Sequence, residues 1–156
     1  MKKEAVLRSI KKKKVWGERE TWEHWANIRF DEETSDPANA NIRVGFDTSD
    51  GSWSSIGQLA KKQEGVTLNL GDLDSVAEPS GEDFGTILHE FGHVLGMAHE
   101  HQSPIRPSNV TRSISKHFSE YVQSYGRSLA KSQILDVVDA SAVVNLSRFD
   151  PESIMM

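Results

Sequence analysis

The spacing of apolar and polar residues changes part-way along the chain. Residues 27–32, 41–47 and 66–70 alternate apolar and polar side chains, as half-buried strands do. From residue 83 to residue 95, apolar side chains recur at intervals of three and four, which is typical of a helix with one buried side. The pattern therefore predicts short strands followed by a helix.

Further helices are predicted on both sides of this region. Residues 18–26 form a short helix before the strands, and residues 111–131 form an amphipathic helix near the end. The polar segment 47–56 is expected to be a loop. The order helix, strands, helix, helix predicts an α+β or mixed α/β fold, with the sheet packed on the middle helix.

The stretch HEFGHVLGMAHE, at residues 89–100, concentrates metal-binding side chains on the predicted middle helix. His89 and His93 are four residues apart, so a helix projects both imidazoles from one face. Gly96 is expected to end the helix, because glycine adopts the left-handed conformation at little cost, and the chain can then return His99 as a third ligand. Three imidazoles leave one tetrahedral position for water, which is the arrangement of a catalytic zinc site.

Glu90 lies next to the first of these histidines, within reach of a water molecule on the same metal ion. Zinc lowers the pKa of such a water to about 7 and polarises a carbonyl oxygen. Glu90 would then accept the water proton and pass it to the leaving amine. The predicted activity is peptide-bond hydrolysis by a zinc-activated water, with Glu90 as the general base and one zinc ion.

Two alternatives stand beside this hypothesis. A lone histidine pair on an amphipathic helix is often structural, although Gly96 and His99 at the right spacing favour a metal site. The chain could also be a catalytically impaired zinc-binding homologue that acts as a peptide- or protein-binding module. Glu90 argues against that alternative, because a protein that only binds does not need a base.

Composition narrows the class of protein further. The 156 residues are 37% apolar and 26% charged, as expected for one soluble domain over residues 1–156. The net charge of −5 argues against a nucleic-acid partner. The lysine run 11–14 is expected to be solvated surface, and no apolar run approaches the ~18 residues of a membrane span. The absence of cysteine excludes disulfides, thiolate zinc ligands and cysteine nucleophiles.

The first 15 residues are strongly basic and lack the apolar segment of a signal peptide. We therefore expect no signal peptide in this chain, and a disordered or propeptide-like basic leader over residues 1–15. We also expect a monomer.

The residues 89–99 resemble the extended zinc motif His-Glu-x-x-His-x-x-Gly-x-x-His of the metzincin metalloproteases. The following Glu100 and the sequence SIM at residues 153–155 are similar to the astacin family. The stretches HEHQSP and TLNLG resemble microbial astacin-like proteases without disulfides.

This resemblance implies a zincin-like α+β fold. Such a fold has a small, twisted, mostly parallel sheet with an antiparallel edge strand, packed on the active-site helix, and a C-terminal helical part. It also implies an extracellular, secreted zinc metalloendopeptidase that acts on peptides or proteins. The zinc ligands would be His89, His93 and His99.

The resemblance implies structural roles for three further residues. Gly96 would turn the chain, Met155 would form a hydrophobic floor under the metal, and Glu100 would pair with a processed N-terminal ammonium. Plain solvent exposure of Glu100 is the alternative. The family usually has a tyrosine two residues after the methionine. The chain stops at Met156, so we expect the domain to be incomplete at its C-terminus.

The strand 66–70 would be the edge strand that binds extended substrate through main-chain hydrogen bonds, with Thr67 and Asn69 lining the cleft. A purely structural strand is the alternative. Calcium ligands could come from four aspartates, but their spacing matches no complete calcium loop. We therefore interpret these aspartates as residues of polar turns, and calcium binding is unsupported. The four aspartates are Asp47, Asp50, Asp72 and Asp74.

Overall fold

The computed structural model describes residues 2–74, 76 and 80–156. The chain divides into two compact units, Met1–Met97 and Ala98–Met156. The first unit contains the sheet and the helix with the first two histidines of the motif, and the second is mainly helical. The prediction of a single domain stays a prediction.

The first unit combines two long helices with a three-stranded sheet. The helices are α1, Lys2–Trp25, and α2, Gly81–Val94. The strands are β1, Val44–Gly45, β2, Ser52–Ser54, and β3, Leu68–Leu70. Their order is β1-β3-β2, with β1 parallel and β2 antiparallel to β3. Short 3₁₀ helices lie at Pro37–Asn39 and Gly57–Lys62.

The predicted α+β class with an antiparallel edge strand is confirmed, but one strand assignment and one loop assignment were wrong. Residues 27–32 form no strand, because the N–H of Phe30 donates to the Glu23 carboxylate at 2.7 Å instead of to a neighbouring strand. The Phe30 ring packs edge-to-face on Phe91, with 5.2 Å between centroids. The predicted loop 47–56 contains β2, whose polar residues hid the strand from the apolar pattern.

The core lies between the sheet and the two helices of the first unit. Its fully buried members are Leu68 and Leu70 of β3 and Ile87 of α2. Val15 of α1, Leu73 and Phe91 complete the cluster. The indole N–H of Trp22 donates to the Leu88 carbonyl at 3.2 Å, which ties α1 to α2.

The N-terminal helix is longer than the predicted segment 18–26. It begins at Lys2, so the leader is helical in the described residues rather than disordered, and its propeptide-like role stays a prediction. The lysine run was wrongly expected to be solvated throughout, since Lys11 and Lys14 are only 8% and 3% exposed. Burial of Lys14 is possible because its ammonium forms ion pairs with Asp74 and Asp83.

Sequence-encoded caps delimit α2. The Ser80 hydroxyl accepts from the N–H of Asp83 at 3.1 Å, and the Asp83 carboxylate accepts from the N–H of Ser80 at 3.4 Å, which forms a capping box. After the C-cap Leu95, Gly96 has φ +98° and donates its N–H to the His93 carbonyl at 2.9 Å. The chain therefore reverses at the glycine, as the sequence indicated.

The second unit contains the predicted C-terminal helical part. Its helices are α3, Ser108–Tyr125, and α4, Arg127–Ala130, followed by a π-helical turn at Lys131–Leu135. The predicted helix 111–131 is interrupted at Gly126, which has φ +76° and donates its N–H to the Val122 carbonyl at 2.9 Å. Two 3₁₀ turns lie at Glu100–Gln102 and Ala140–Ala142.

Within the part of the chain that the structure describes, no helix combines the length and apolar character needed to cross a membrane.

Candidate metal centre

Helix α2 places two of the predicted ligands one turn apart. The rings of His89 and His93 lie edge-to-face, with 4.8 Å between their centroids. Nδ1 of His93 is 2.8 Å from the carbonyl oxygen of Met97. Because a carbonyl can only accept, Nδ1 must donate, and Nε2 keeps the lone pair that binds a metal.

The same helix keeps His93 in the protonation state that metal binding requires. His93 is only 5% exposed. Burial lowers its pKa, and the neighbouring His89 adds to this effect, while the hydrogen bond to Met97 opposes it. The net result is a neutral imidazole, which is the form that coordinates zinc.

His99 follows the chain reversal and precedes the 3₁₀ turn Glu100–Gln102. Together with His89 and His93 it forms a group that could hold a metal ion, since each residue offers one ring nitrogen and these atoms lie within 4.8 Å of one another. An all-imidazole donor set suits zinc far better than calcium, which prefers oxygen ligands. The residues present therefore fit the predicted zinc ion.

Glu90 lies between His89 and His93 in the sequence, and its carboxylate is buried. It is 6% exposed, and its Oε2 has no hydrogen-bond partner among the described residues. Burial, with a smaller contribution from the charge of Asp72, raises the pKa of Glu90 to about 7. A buried carboxyl group with a pKa near neutrality is suited to accept and return a proton.

The second unit connects Glu100 to the turn around Met155. The Glu100 N–H donates to the Met155 carbonyl at 2.8 Å, and the Glu100 carboxylate accepts from the N–H of Asp150 at 3.0 Å. Met155 itself is 3% exposed. The structure thus gives Glu100 a local structural role. Its pairing with an N-terminal ammonium and the position of Met155 beneath the metal stay predictions.

The proposed substrate strand needs correction. β3 is the central strand of the sheet, and β2 is the antiparallel edge. Thr67 and Asn69 are 1% and 2% exposed. The Thr67 hydroxyl accepts from the N–H of Arg43, and the Asn69 amide bonds the backbone of Asp47 and Gly51. Both side chains hold the sheet and its loop together, and they are not placed to line a cleft.

Three of the four aspartates considered for calcium have partners of their own. The Asp47 carboxylate accepts from Ser49, that of Asp50 from the Trp53 indole at 2.7 Å, and that of Asp74 from Lys14. These contacts are typical of polar turns and ion pairs.

Sequence reasoning missed one residue beside the third ligand. Nδ1 of His99 is 3.1 Å from the amide oxygen of Gln102. The spacing of three residues across a turn was the only available signal, and many turns share it.

A family model described as Astacin, a family of peptidases, matches residues 3–155. The chain belongs to the astacin family. This membership confirms the resemblance drawn from the zinc motif.

Two curated relatives of this astacin-family chain come from sea urchins. The chain is 26% identical to Blastula protease 10 of Paracentrotus lividus over 126 residues, which cover 74% of this chain and 19% of that protein. It is 31% identical to Protein SpAN of Strongylocentrotus purpuratus over 106 residues, which cover 66% of this chain and 15% of that protein. The chain therefore spans less than a fifth of the length of these relatives.

Solved structures of myroilysin show a similar fold. One matches with a TM-score of 0.73 at 29% identity and covers 96% of this astacin-family chain and 70% of the myroilysin chain. A second, a crystal structure, matches with a TM-score of 0.57 at 28% identity and covers 97% of this chain and 64% of that one. The zincin-like assignment is therefore supported by sequence and by structure.

Proposed function

We propose that this chain is a zinc metalloendopeptidase in which His89, His93 and His99 hold one zinc ion and Glu90 is the general base. The observation that carries this proposal is the state of Glu90. Its carboxylate is buried beside a ligand, has a raised pKa, and keeps one oxygen without a hydrogen-bond partner among the described residues. A structural glutamate would be expected to have that buried oxygen satisfied.

Each residue of the centre has a defined task in this proposal. Zinc bound there would supply a Lewis acid that polarises the substrate carbonyl and makes water more acidic. Glu90 takes the proton from the attacking water on one oxygen and returns it to the leaving amine. The Met97 carbonyl fixes the proton of His93 on Nδ1, which leaves Nε2 to coordinate.

Substrate binding in this proposal uses the edge of the sheet. β2 is the antiparallel edge strand among the described residues, so its outer backbone groups are available to pair with an extended peptide. Backbone pairing accepts many sequences, and it is suited to a peptide or protein substrate. The family resemblance adds that the chain acts as a secreted, extracellular protein. That it acts as a monomer is a separate part of the proposal.

Cleavage of an unfolded protein by wild type and by Glu90→Gln tests the proposal. The amide keeps the shape of the side chain but cannot accept the proton, so kcat/KM is expected to fall by about 10²–10⁴-fold, the usual contribution of a general base. Zinc content, measured by atomic emission, should stay at one ion per chain in both proteins.

A matched control lies on the same helix. Glu82 is exposed in the first turn of α2, and Glu82→Gln makes the same chemical change away from the histidines. It should leave cleavage within about twofold of wild type, since exposed substitutions usually have small effects. Full activity in Glu90→Gln would remove Glu90 from the mechanism. A wild type that holds zinc but cleaves nothing would instead support the binding-module alternative.

A further inference from the structure

A backbone carbonyl determines the orientation of the Gln102 amide. Its nitrogen Nε2 donates to the carbonyl oxygen of Ser132 at 2.8 Å. A carbonyl oxygen only accepts, so the NH₂ group must face Ser132 and the amide oxygen must face the other way. The acceptor at Ser132 therefore fixes the orientation of the amide chemically.

The orientation of the amide in turn determines the proton position on His99. The amide oxygen of Gln102 is 3.1 Å from Nδ1 of His99. Because an amide oxygen has no proton to give, Nδ1 must be the donor in this hydrogen bond. The neutral ring is then the Nδ1–H tautomer, and its lone pair is on Nε2.

The segment that presents Gln102 is itself held in place. The backbone carbonyl of Gln102 accepts from the N–H of Val138 at 2.9 Å. Arg106 donates to the carbonyl of His101 at 2.6 Å and to that of Leu135 at 3.0 Å. The turn after His99 is therefore joined to residues 131–138 on both sides of the Gln102 side chain.

His101 shows that the neighbouring histidine has a different task. Its Nε2 lies 2.9 Å from the backbone carbonyl of Gln133, so Nε2 must carry the proton. The ring stacks on that of His99, with 5.0 Å between centroids. His101 thus donates from Nε2, whereas His99 donates from Nδ1, and His101 serves as an anchor.

We propose that Gln102 is a positioning residue for the third metal ligand. Its amide donates to the Ser132 carbonyl and accepts from Nδ1 of His99. These bonds hold the His99 ring in the Nδ1–H tautomer, so that Nε2 can coordinate the metal. This proposal rests on the proposed zinc site, but the tautomer is a property of the metal-free protein. The two ideas can therefore fail separately.

The first test is the tautomer of His99 in metal-free protein, read from ¹⁵N side-chain NMR spectra. Wild type should show protonated Nδ1. Gln102→Leu, which removes both hydrogen bonds at similar volume, should shift His99 toward the Nε2–H form that an unconstrained histidine prefers. Gln102→Glu keeps an acceptor oxygen and should retain the wild-type tautomer, which separates positioning from a general folding defect.

The second test is zinc affinity, measured by competition with a chromophoric chelator. Loss of an outer hydrogen-bond partner typically weakens metal binding by about 10–100-fold. Gln102 is only half-buried, so water can partly replace it, and we expect about a tenfold weaker Kd for Gln102→Leu. Gln133→Leu is the matched control, since Gln133 is exposed and contributes its backbone carbonyl to the network.

The outcomes test the role of Gln102 and the proposed zinc site separately. An Nε2–H tautomer in wild type, an unchanged tautomer in Gln102→Leu, or an unchanged zinc Kd in Gln102→Leu would overturn the positioning role. A wild type that binds no zinc would refute the proposed function. The tautomer comparison, which is made without zinc, would still confirm or overturn the role of Gln102.

Discussion

At the scale of single residues, the candidate centre depends on which nitrogen of each histidine carries the proton. His93 donates from Nδ1 to the Met97 carbonyl, and His99 donates from Nδ1 to the Gln102 amide. The candidate ligands could be predicted, because helical periodicity places His89 and His93 on one face. Their acceptors could not, since Met97 and Gln102 reach the rings only after the reversal at Gly96.

Glycine substitutions test the close backbone packing behind the edge strand. A Cβ at Gly71 would lie 2.3 Å from the Asp47 carbonyl oxygen and 2.5 Å from that of Gly51. Because backbone atoms must move to admit it, Gly71→Ala should lower the free energy of unfolding by about 1–3 kcal/mol, as overpacking does. Urea denaturation measures this change.

Gly85→Ala is the matched control for that substitution. Gly85 lies inside α2, and a Cβ there meets nothing within 4 Å. Alanine removes the entropic penalty of a helical glycine, so the variant should be more stable by about 0.5–1 kcal/mol. Equal effects of the two substitutions would contradict the packing described around Gly71.

At the scale of secondary-structure elements, helices were predicted better than strands. α2 could be located almost to its ends, because its apolar spacing and Gly96 agree, whereas its N-terminal cap at Ser80 was seen only in the structure. β2 was missed because three residues with two serines carry no apolar alternation, and its pairing with β3 is a tertiary contact. The sequence also did not predict that α1 begins as early as Lys2. Residues 11–14 were interpreted as a solvated basic run and not as part of a packed helix.

The Lys14–Asp83 ion pair between α1 and α2 should contribute strongly to stability. The two side chains are 1% and 5% exposed, so removing the ammonium leaves a buried carboxylate uncompensated. Lys14→Met should cost about 3–5 kcal/mol of unfolding free energy. Lys12→Met is the control, because the Lys12–Glu32 pair is exposed and such pairs contribute about 0–1 kcal/mol. Similar losses in both variants would contradict this assignment.

The same pair predicts how stability depends on pH. Burial acts to raise the Asp83 pKa, but hydrogen bonds from Lys14, Asp74 and Ser80, with the Lys14 charge, hold it below its ordinary value of 3.8. Burial acts to lower the Lys14 pKa, but hydrogen bonds and charges of Asp74 and Asp83 hold it above its ordinary value of 10.5. Each partner therefore favours the charged form of the other.

The sign of the effect differs at the two ends of the pH range. A lowered carboxyl pKa stabilises the fold above the unfolded-state pKa, and this contribution disappears as pH falls through the folded-state pKa of Asp83. A raised ammonium pKa stabilises the fold below its unfolded-state value, and this contribution disappears as pH rises through the folded-state pKa of Lys14. The stability difference between wild type and Lys14→Met, measured by denaturation, should be largest near neutral pH. A difference that grows in acid would contradict the ion pair.

At the scale of the whole molecule, the zinc motif identified the family more readily than the pattern of elements identified the architecture. Three histidines, a glutamate and a glycine at fixed spacing sufficed for the astacin resemblance, which the family match over residues 3–155 confirms. The division into Met1–Met97 and Ala98–Met156 had no counterpart in composition or in a linker. Such a division follows from tertiary contacts, which short-range patterns do not contain.

The dependence of proteolysis on zinc occupancy is the direct test of whether the candidate centre is catalytic. The chain is stripped with a chelator, zinc is returned in known equivalents, and cleavage of an unfolded protein is followed at each step. If three histidines hold the catalytic ion, activity should vanish on stripping and rise in proportion to added zinc up to one equivalent. Cleavage that survives complete removal of the metal would contradict a catalytic zinc ion held by these histidines.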